Sequence, residues 1–137
     1  MIAVDTNILV YSHREDSAFF KLAEAGKDWA VPWPCIHEFV AIVTHPHIYR
    51  PPTPLERACT QVRAWIESPH LHCIGEIEAV YWPVLESLLQ NGSIAGPKVH
   101  DARIAAVCLC HGIDELWTAD RDFSRFPGLT VRNPLVH

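Results

Sequence analysis

Apolar and polar positions along this chain switch between the period of a strand and that of a helix. Residues 2–4 are apolar and are closed at once by Asp5, which predicts a short buried strand. A helix follows over residues 7–12, with Thr6 or Asn7 as its cap. A second helix is predicted over residues 17–25, ending at Gly26. Residues 29–33 read as another short strand, and Pro34 opens a helix that runs to about residue 44. Residues 45–52 are dense in proline and form a loop. Thr53 is placed to cap a helix over 54–67, with Glu56 three positions later completing a capping box. A strand over 70–74 and an amphipathic helix over 77–89 come next, the helix ending at Asn91-Gly92. Residues 99–110 are apolar nearly all round, which predicts a buried helix stopped at Gly112. Two last strands fall at 115–118 and 129–131.

Short strands alternating with helices predict an α/β fold around a mainly parallel sheet. In such folds ligands sit beyond the carboxyl ends of the strands, and Asp5 and Asp120 both fall at such ends. The 137 residues form one domain, 1–137, with 49% hydrophobic and 20% charged residues, a composition that folds. No apolar run has the length of a membrane span. The first residues lack a basic region and Asp5 interrupts their apolar run, so the expected compartment is the cytoplasm. The five cysteines, an odd number without a C-x-x-C pair, read as reduced and mostly buried thiols.

The candidate chemistry is carboxylate chemistry. Glu38 lies among Ile36, Phe39, Val40 and Ile42; Asp101 precedes the run from Ile104 to Val107; Asp120 and Asp122 follow Trp117-Thr118. A carboxylate beside a buried segment is costly unless paired or bound to a metal. Several such acids, distant in sequence, point to one shared cation. Carboxylate oxygens are hard ligands suited to Mg²⁺ or Mn²⁺. The net charge of -5 argues against a protein that coats nucleic acid, but not against a nuclease whose acidic pocket has a basic rim. Arg14, Lys98, Arg103, Arg121 and Arg125 are candidates for that rim.

Four pieces occur in order: Asp5-Thr6-Asn7-Ile8-Leu9, Glu38 on an early helix, His100-Asp101 opening a late helix, and Thr118-Ala119-Asp120-Arg121-Asp122-Phe123 after the next strand. In these the chain resembles the PIN-domain ribonucleases, in particular the VapC-type toxins of toxin–antitoxin pairs, over nearly its whole length. The resemblance implies a three-layer α/β/α sandwich and Mg²⁺- or Mn²⁺-dependent cleavage of RNA. It implies Asp5, Glu38, Asp101 and Asp120 as the catalytic acids, with Asp5, Asp101 and Asp120 as metal ligands. It further implies a small antitoxin partner and a homodimer, for which Trp33, Phe39 and Val43 offer apolar surface. Asn7 and Thr118 are candidate substrate contacts, and Asp122 has no fixed role.

Plainer roles exist for each acid. Asp5 could cap a helix or a turn, Glu38 could be solvated, Asp101 could complement a helix dipole, and Asp120 and Asp122 could pair with Arg121 and Arg125. The nine histidines include no second ligand pair at zinc-finger spacing, and His13 and His100 read as surface residues. The five tryptophans read as core or interface residues. A phospho-accepting domain would need an acceptor after a central strand, and no Asp stands between Asp28 and Asp101. A structure-specific DNA nuclease and a catalytically inactive PIN-like binding module are the remaining alternatives.

Overall fold

The structure is a computed structural model that describes residues 1–14 and 27–136; the helix predicted over 17–25 lies outside the described residues. Its elements are β1 (Ile2–Val4), α1 (Thr6–Arg14), β2 (Trp29–Pro32), α2 (Trp33–Val43), α3 (Leu55–Glu67), β3 (Leu71–Ile74), α4 (Tyr81–Gly92), α5 (Val99–Cys110), β4 (Glu115–Trp117) and β5 (Thr130–Arg132). Short single-turn helices span Gly96–Lys98 and Arg121–Arg125.

The five strands form one sheet in the order β3-β2-β1-β4-β5, and every neighbouring pair is parallel. The chain steps outward from β1 to β2 and β3, then returns across β1 to build β4 and β5 on the other side. Right-handed crossovers make this reversal put α1, α2 and α3 on one face and α4 and α5 on the other. The predicted three layers follow. The packing agrees: α1 rests on α2, α2 on α3, and α4 on α5.

The reversal point lies between β1 and β4, where Val4 pairs with Trp117. A crevice opens there because chains leave the two strand ends in opposite directions. Both strands are buried on both faces, with Ala3, Val4 and Leu116 fully enclosed, as parallel strands under two helical layers must be. Helix α5 is buried through Ala102, Ile104, Ala105, Ala106, Val107 and Cys108. It ends as expected at Gly112, whose φ of 64° suits a residue without a Cβ.

Several local expectations are corrected. Thr53 does not cap α3: the N-cap is Pro54 and no side chain caps it. The Thr53 hydroxyl instead meets His13 Nε2 at 3.0 Å. His13 is not a surface residue; it is half-buried and edge-on to Phe39, with centroids 5.2 Å apart. Helix α4 starts at Tyr81 rather than at 77, and its C-cap is Ser93, in left-handed conformation at φ 50°. Cys59 is exposed and Cys73 and Cys110 are half-buried, so only Cys35 and Cys108 are buried thiols. Phe39 and Val43 are 0% exposed and belong to the core, so they cannot form the anticipated dimer surface; Trp33 is 38% exposed. Trp82 is also exposed, while Trp29, Trp65 and Trp117 are buried. No described helix is long and apolar enough to cross a membrane.

Candidate active site

The end of β1 delivers Asp5 directly into the crevice. Its backbone N–H donates to Trp117 O at 3.0 Å, continuing the β1–β4 ladder by one residue. Its carbonyl accepts from Ile8 N at 3.1 Å and its Oδ1 from Thr6 N at 2.7 Å. Asp5 is therefore itself the cap of α1, in place of Thr6 or Asn7, and the positive end of that helix favours its charge. Its Oδ2 accepts from Thr118 Oγ1 at 2.7 Å and from Asn7 Nδ2 at 3.4 Å, and the Cys35 thiol approaches Oδ1 at 3.5 Å. Asp5 is 5% exposed. Burial raises its pKa above the ordinary 3.8, against the lowering effect of its hydrogen bonds to Thr118 and Thr6. Burial likewise raises the Cys35 thiol far up, with the Asp5 charge adding to it, so the thiol keeps its proton for donation.

Of the acids predicted from sequence, the structure brings Asp101 and Asp120 together, and it adds Asp122. Oxygens of Asp101, Asp120 and Asp122 all lie within 4.8 Å of one another. Two ligands across an octahedral Mg²⁺ are about 4.2 Å apart at most, so small side-chain rotations would bring three oxygens onto one ion. Among the described residues, the acidic group able to hold an ion thus includes Asp122, whose role the sequence left open, and excludes Asp5. Asp5 is nonetheless close: its charge, with those of Asp120, Asp122 and Glu38, adds to burial in raising the Asp101 pKa. Glu38 is exposed on α2 and accepts from Thr6 Oγ1 at 2.8 Å through Oε2. That bond ties the N-terminus of α1 to α2 at the site.

Each acid has an evident source of position. Asp101 sits in the first turn of α5, where the helix dipole favours an anion. Asp120 caps the single turn Arg121–Arg125 and accepts from Asp122 N at 2.9 Å. That turn folds Asp122 back beside Asp120. Lys98 Nζ donates to Asp122 Oδ2 at 2.9 Å, and this bond holds the Asp122 carboxyl below its ordinary pKa. Asp122 therefore pairs first with Lys98, rather than with Arg121 or Arg125. Of the other rim candidates, Arg103 faces Glu76 at 3.6 Å and Arg14 lies over the Tyr49 ring at 4.2 Å.

Thr118 and Asn7 emerge as scaffolding. The Thr118 hydroxyl donates to Asp5 and accepts from Asn7 Nδ2 at 3.1 Å and Asp120 N at 3.0 Å. One donor and two lone pairs are all a hydroxyl has. Thr118 is also 1% exposed, so it has neither access nor capacity for the substrate contact expected of it. Asn7 spends its carbonyl on Ala119 N at 3.1 Å and its amide on Asp5 and Thr118. The three residues lock the ends of β1 and β4 together and set the Asp5 carboxylate. The sequence signal for this was present in Asn7 and Thr118 flanking strand-end acids, although not the direction in which they point.

Comparison with known proteins meets this geometry. A family model described as PIN domain matches residues 2–129. Ribonuclease VapC48 of Mycobacterium tuberculosis is 30% identical over 95% of this chain and 94% of its own length. Ribonuclease VapC43 of the same species is 29% identical over 98% of this chain and 96% of its own. Among solved structures, VapBC2 from Rickettsia felis, bound to a promoter DNA fragment, superposes with a TM-score of 0.66 at 23% identity, covering 97% of this chain and 98% of that one. VapC20 of Mycobacterium tuberculosis, a toxin that cleaves the sarcin–ricin loop, superposes with a TM-score of 0.63 at 20% identity, covering 95% and 99%.

Proposed function

This chain belongs to the PIN-domain family, and from that premise we propose that it is a metal-dependent endoribonuclease, the toxin of a toxin–antitoxin pair, cleaving RNA in the crevice at the ends of β1 and β4. The observation that carries this reading is the convergence of Asp101, Asp120 and Asp122 within 4.8 Å, with Asp5 and Glu38 beside them.

The donor set is all carboxylate oxygen, which fits Mg²⁺ or Mn²⁺ and not zinc. Asp101, Asp120 and Asp122 would hold the ion. Asp5 would complete the set, with its bonds to Thr6 and Thr118 holding the carboxylate in place. A divalent ion in such a set acidifies a water for attack and neutralises charge on the phosphoryl oxygens. Glu38, exposed and steadied through Oε2 by Thr6, accepts the proton of the attacking water. Lys98 pairs with Asp122, and with an ion held there it would be free to meet a phosphate oxygen. Thr118 and Asn7 act as positioning residues for Asp5.

An antitoxin would inhibit by seating an Arg or Lys among these carboxylates. The Lys98–Asp122 pair is an internal example of such a contact. The same reading includes a homodimer, whose apolar surface is sought at the exposed Ile77, Val80 and Trp82 and not at Phe39 or Val43. Its substrate makes the cytoplasm its compartment.

The test is cleavage of single-stranded RNA by purified protein with Mg²⁺, Mn²⁺ or chelator, alongside Asp101→Asn. Cleavage should require the cation and fall by orders of magnitude in the variant. Robust cleavage in excess chelator would refute the metal mechanism, and no cleavage of any RNA with either cation would refute the nuclease reading.

A further inference from the structure

The far end of α1 carries a second feature, opposite in charge to the acidic crevice. A cavity of about 390 Å³ is lined by His13, Arg14, Tyr49, Arg50, Thr53 and Arg57, with the prolines of the 51–54 stretch completing its wall. Among the described residues no carboxylate lines it, although the chain as a whole carries a net charge of -5. Among the described residues, none of the three arginines takes part in an ion pair. The wall is firmly built. Tyr49 is buried beneath the Arg14 guanidinium. Thr53 is anchored through its N–H to Val43 O at 2.7 Å and through its hydroxyl to His13. Arg50 and Arg57 are exposed.

We propose that this cavity is a phosphate-binding subsite for the RNA strand, gripping its backbone a few nucleotides from the bond that is cleaved; the proposal rests on the nuclease reading above. Three guanidiniums around one cavity match phosphate oxygens in number and in bidentate geometry. Single-stranded RNA is also the ligand that this chain has most need to hold by charge. A polyanion approaching Asp5, Glu38, Asp101, Asp120 and Asp122 meets repulsion until a cation is bound, so its affinity must come from positive surface elsewhere. The distance suits a continuous strand: His13 and Arg14 follow Thr6 on one helix by seven and eight residues, about 11 to 12 Å at the rise of an α-helix. A stacked strand advances about 3.4 Å per nucleotide, so three or four nucleotides bridge the two sites.

The test uses Arg50→Ala/Arg57→Ala in the non-cleaving Asp101→Asn protein, titrated in Mg²⁺ with a fluorescein-labelled single-stranded RNA of about 12 nucleotides. Removing two phosphate contacts should weaken binding at least tenfold at low salt. It should also reduce the slope of log affinity against log salt by about 1.4, at about 0.7 per contact for single strands. Arg50→Lys/Arg57→Lys should keep the slope, which separates charge from fold, and an unchanged melting temperature confirms that both variants are folded. Unchanged affinity and slope in the alanine variant would overturn the subsite. So would intact RNA binding with lost affinity for a co-purified acidic protein, because the cavity would then be a protein-docking site. With Asp101 restored, a dinucleotide, too short to reach the cavity, should be cleaved equally with and without the two arginines, and the RNA of about 12 nucleotides more slowly without them. If neither protein cleaves even the RNA of about 12 nucleotides with Mg²⁺ or Mn²⁺, the nuclease reading has failed, while the binding slope still decides the subsite.

Discussion

Replacing Thr118 with valine removes one hydroxyl and keeps the shape, at a position where three bonds meet. Asp5 Oδ2 loses a donor at 2.7 Å, and Asn7 Nδ2 and Asp120 N lose an acceptor at 3.1 and 3.0 Å. A bond to a charged group contributes about 1.5–3 kcal/mol and a neutral one about 0.5–1.5 kcal/mol. Asn7 keeps its contact with Asp5 and the half-buried Asp120 N–H can find water, so the loss is dominated by the Asp5 bond. The added methyl group, buried at 1% exposure, returns about 0.8 kcal/mol. The expected net destabilisation is about 1–2 kcal/mol, or about 3–8 °C in melting temperature for a domain of this size. Chemical denaturation in chelator measures it without interference from metal. The second expectation is electrostatic. The lost bond favoured the ionised carboxylate, so the Asp5 pKa rises further, and the acidic limb of the activity profile moves to higher pH. Thr118→Ser keeps the hydroxyl and should restore both. The reasoning is refuted if valine lies within 0.5 kcal/mol of wild type, or if serine is as damaging as valine.

Asp5→Asn should abolish cleavage, and its carboxamide puts an N–H where Thr118 and Asn7 both donate; denaturation should therefore show little gain in stability despite the loss of a buried charge. Lys98→Met should leave stability nearly unchanged, since both partners of the pair are solvated, yet tighten Mn²⁺ binding severalfold by freeing Asp122, as calorimetry without RNA would show. Burial raises the folded-state pKa of Asp5 and, with the neighbouring acids, that of Asp101. The metal-free protein should thus gain stability as pH falls from neutral through these raised values, the gain being complete near the ordinary 3.8. The lowered Asp122 and Asp28 pull the other way only below that value, so melting temperatures in chelator between pH 7 and 4 should rise less in Asp101→Asn than in wild type.

The elements legible in the sequence were those whose pattern is set by burial alone. Helix α5, apolar nearly all round, was read to both ends, and β1 was bounded by Asp5 itself. Misreadings came where two residues compete for one group. Thr53 has the spacing of a capping box, but His13 reaches its hydroxyl across the fold, a contact no local window contains. Phe39 and Val43 looked like surplus apolar surface because sequence shows a helix's apolar stripe but not its width. Here α1 and α3 cover both sides of α2. Asp122 was underrated because its spacing from Asp120 is that of a turn. The turn is real, and it is the means by which the two carboxylates meet.

The five acids divide into two kinds by how they are held. Asp5 is fastened by backbone and side chain together, through Thr6, Asn7, Cys35 and Thr118, and all of those groups belong to strand ends or to helices packed on the sheet. Its position is a property of the fold and does not depend on an ion. Asp101, Asp120 and Asp122 gather from a helix start and a single-turn segment, and Lys98 is the cation that meets them at Asp122. Their mutual repulsion has to be offset by a cation, whether that is Lys98, a divalent ion or a side chain offered by a partner. The same repulsion makes them a sensitive point of control. On the proposed function, the acid anchored in the sheet would set where chemistry occurs, and the acidic group beside it would register which cation is present. On that same proposal, inhibition by an inserted guanidinium and activation by a metal would be two outcomes of one competition, decided at Asp122 and Asp101 and leaving Asp5 undisturbed.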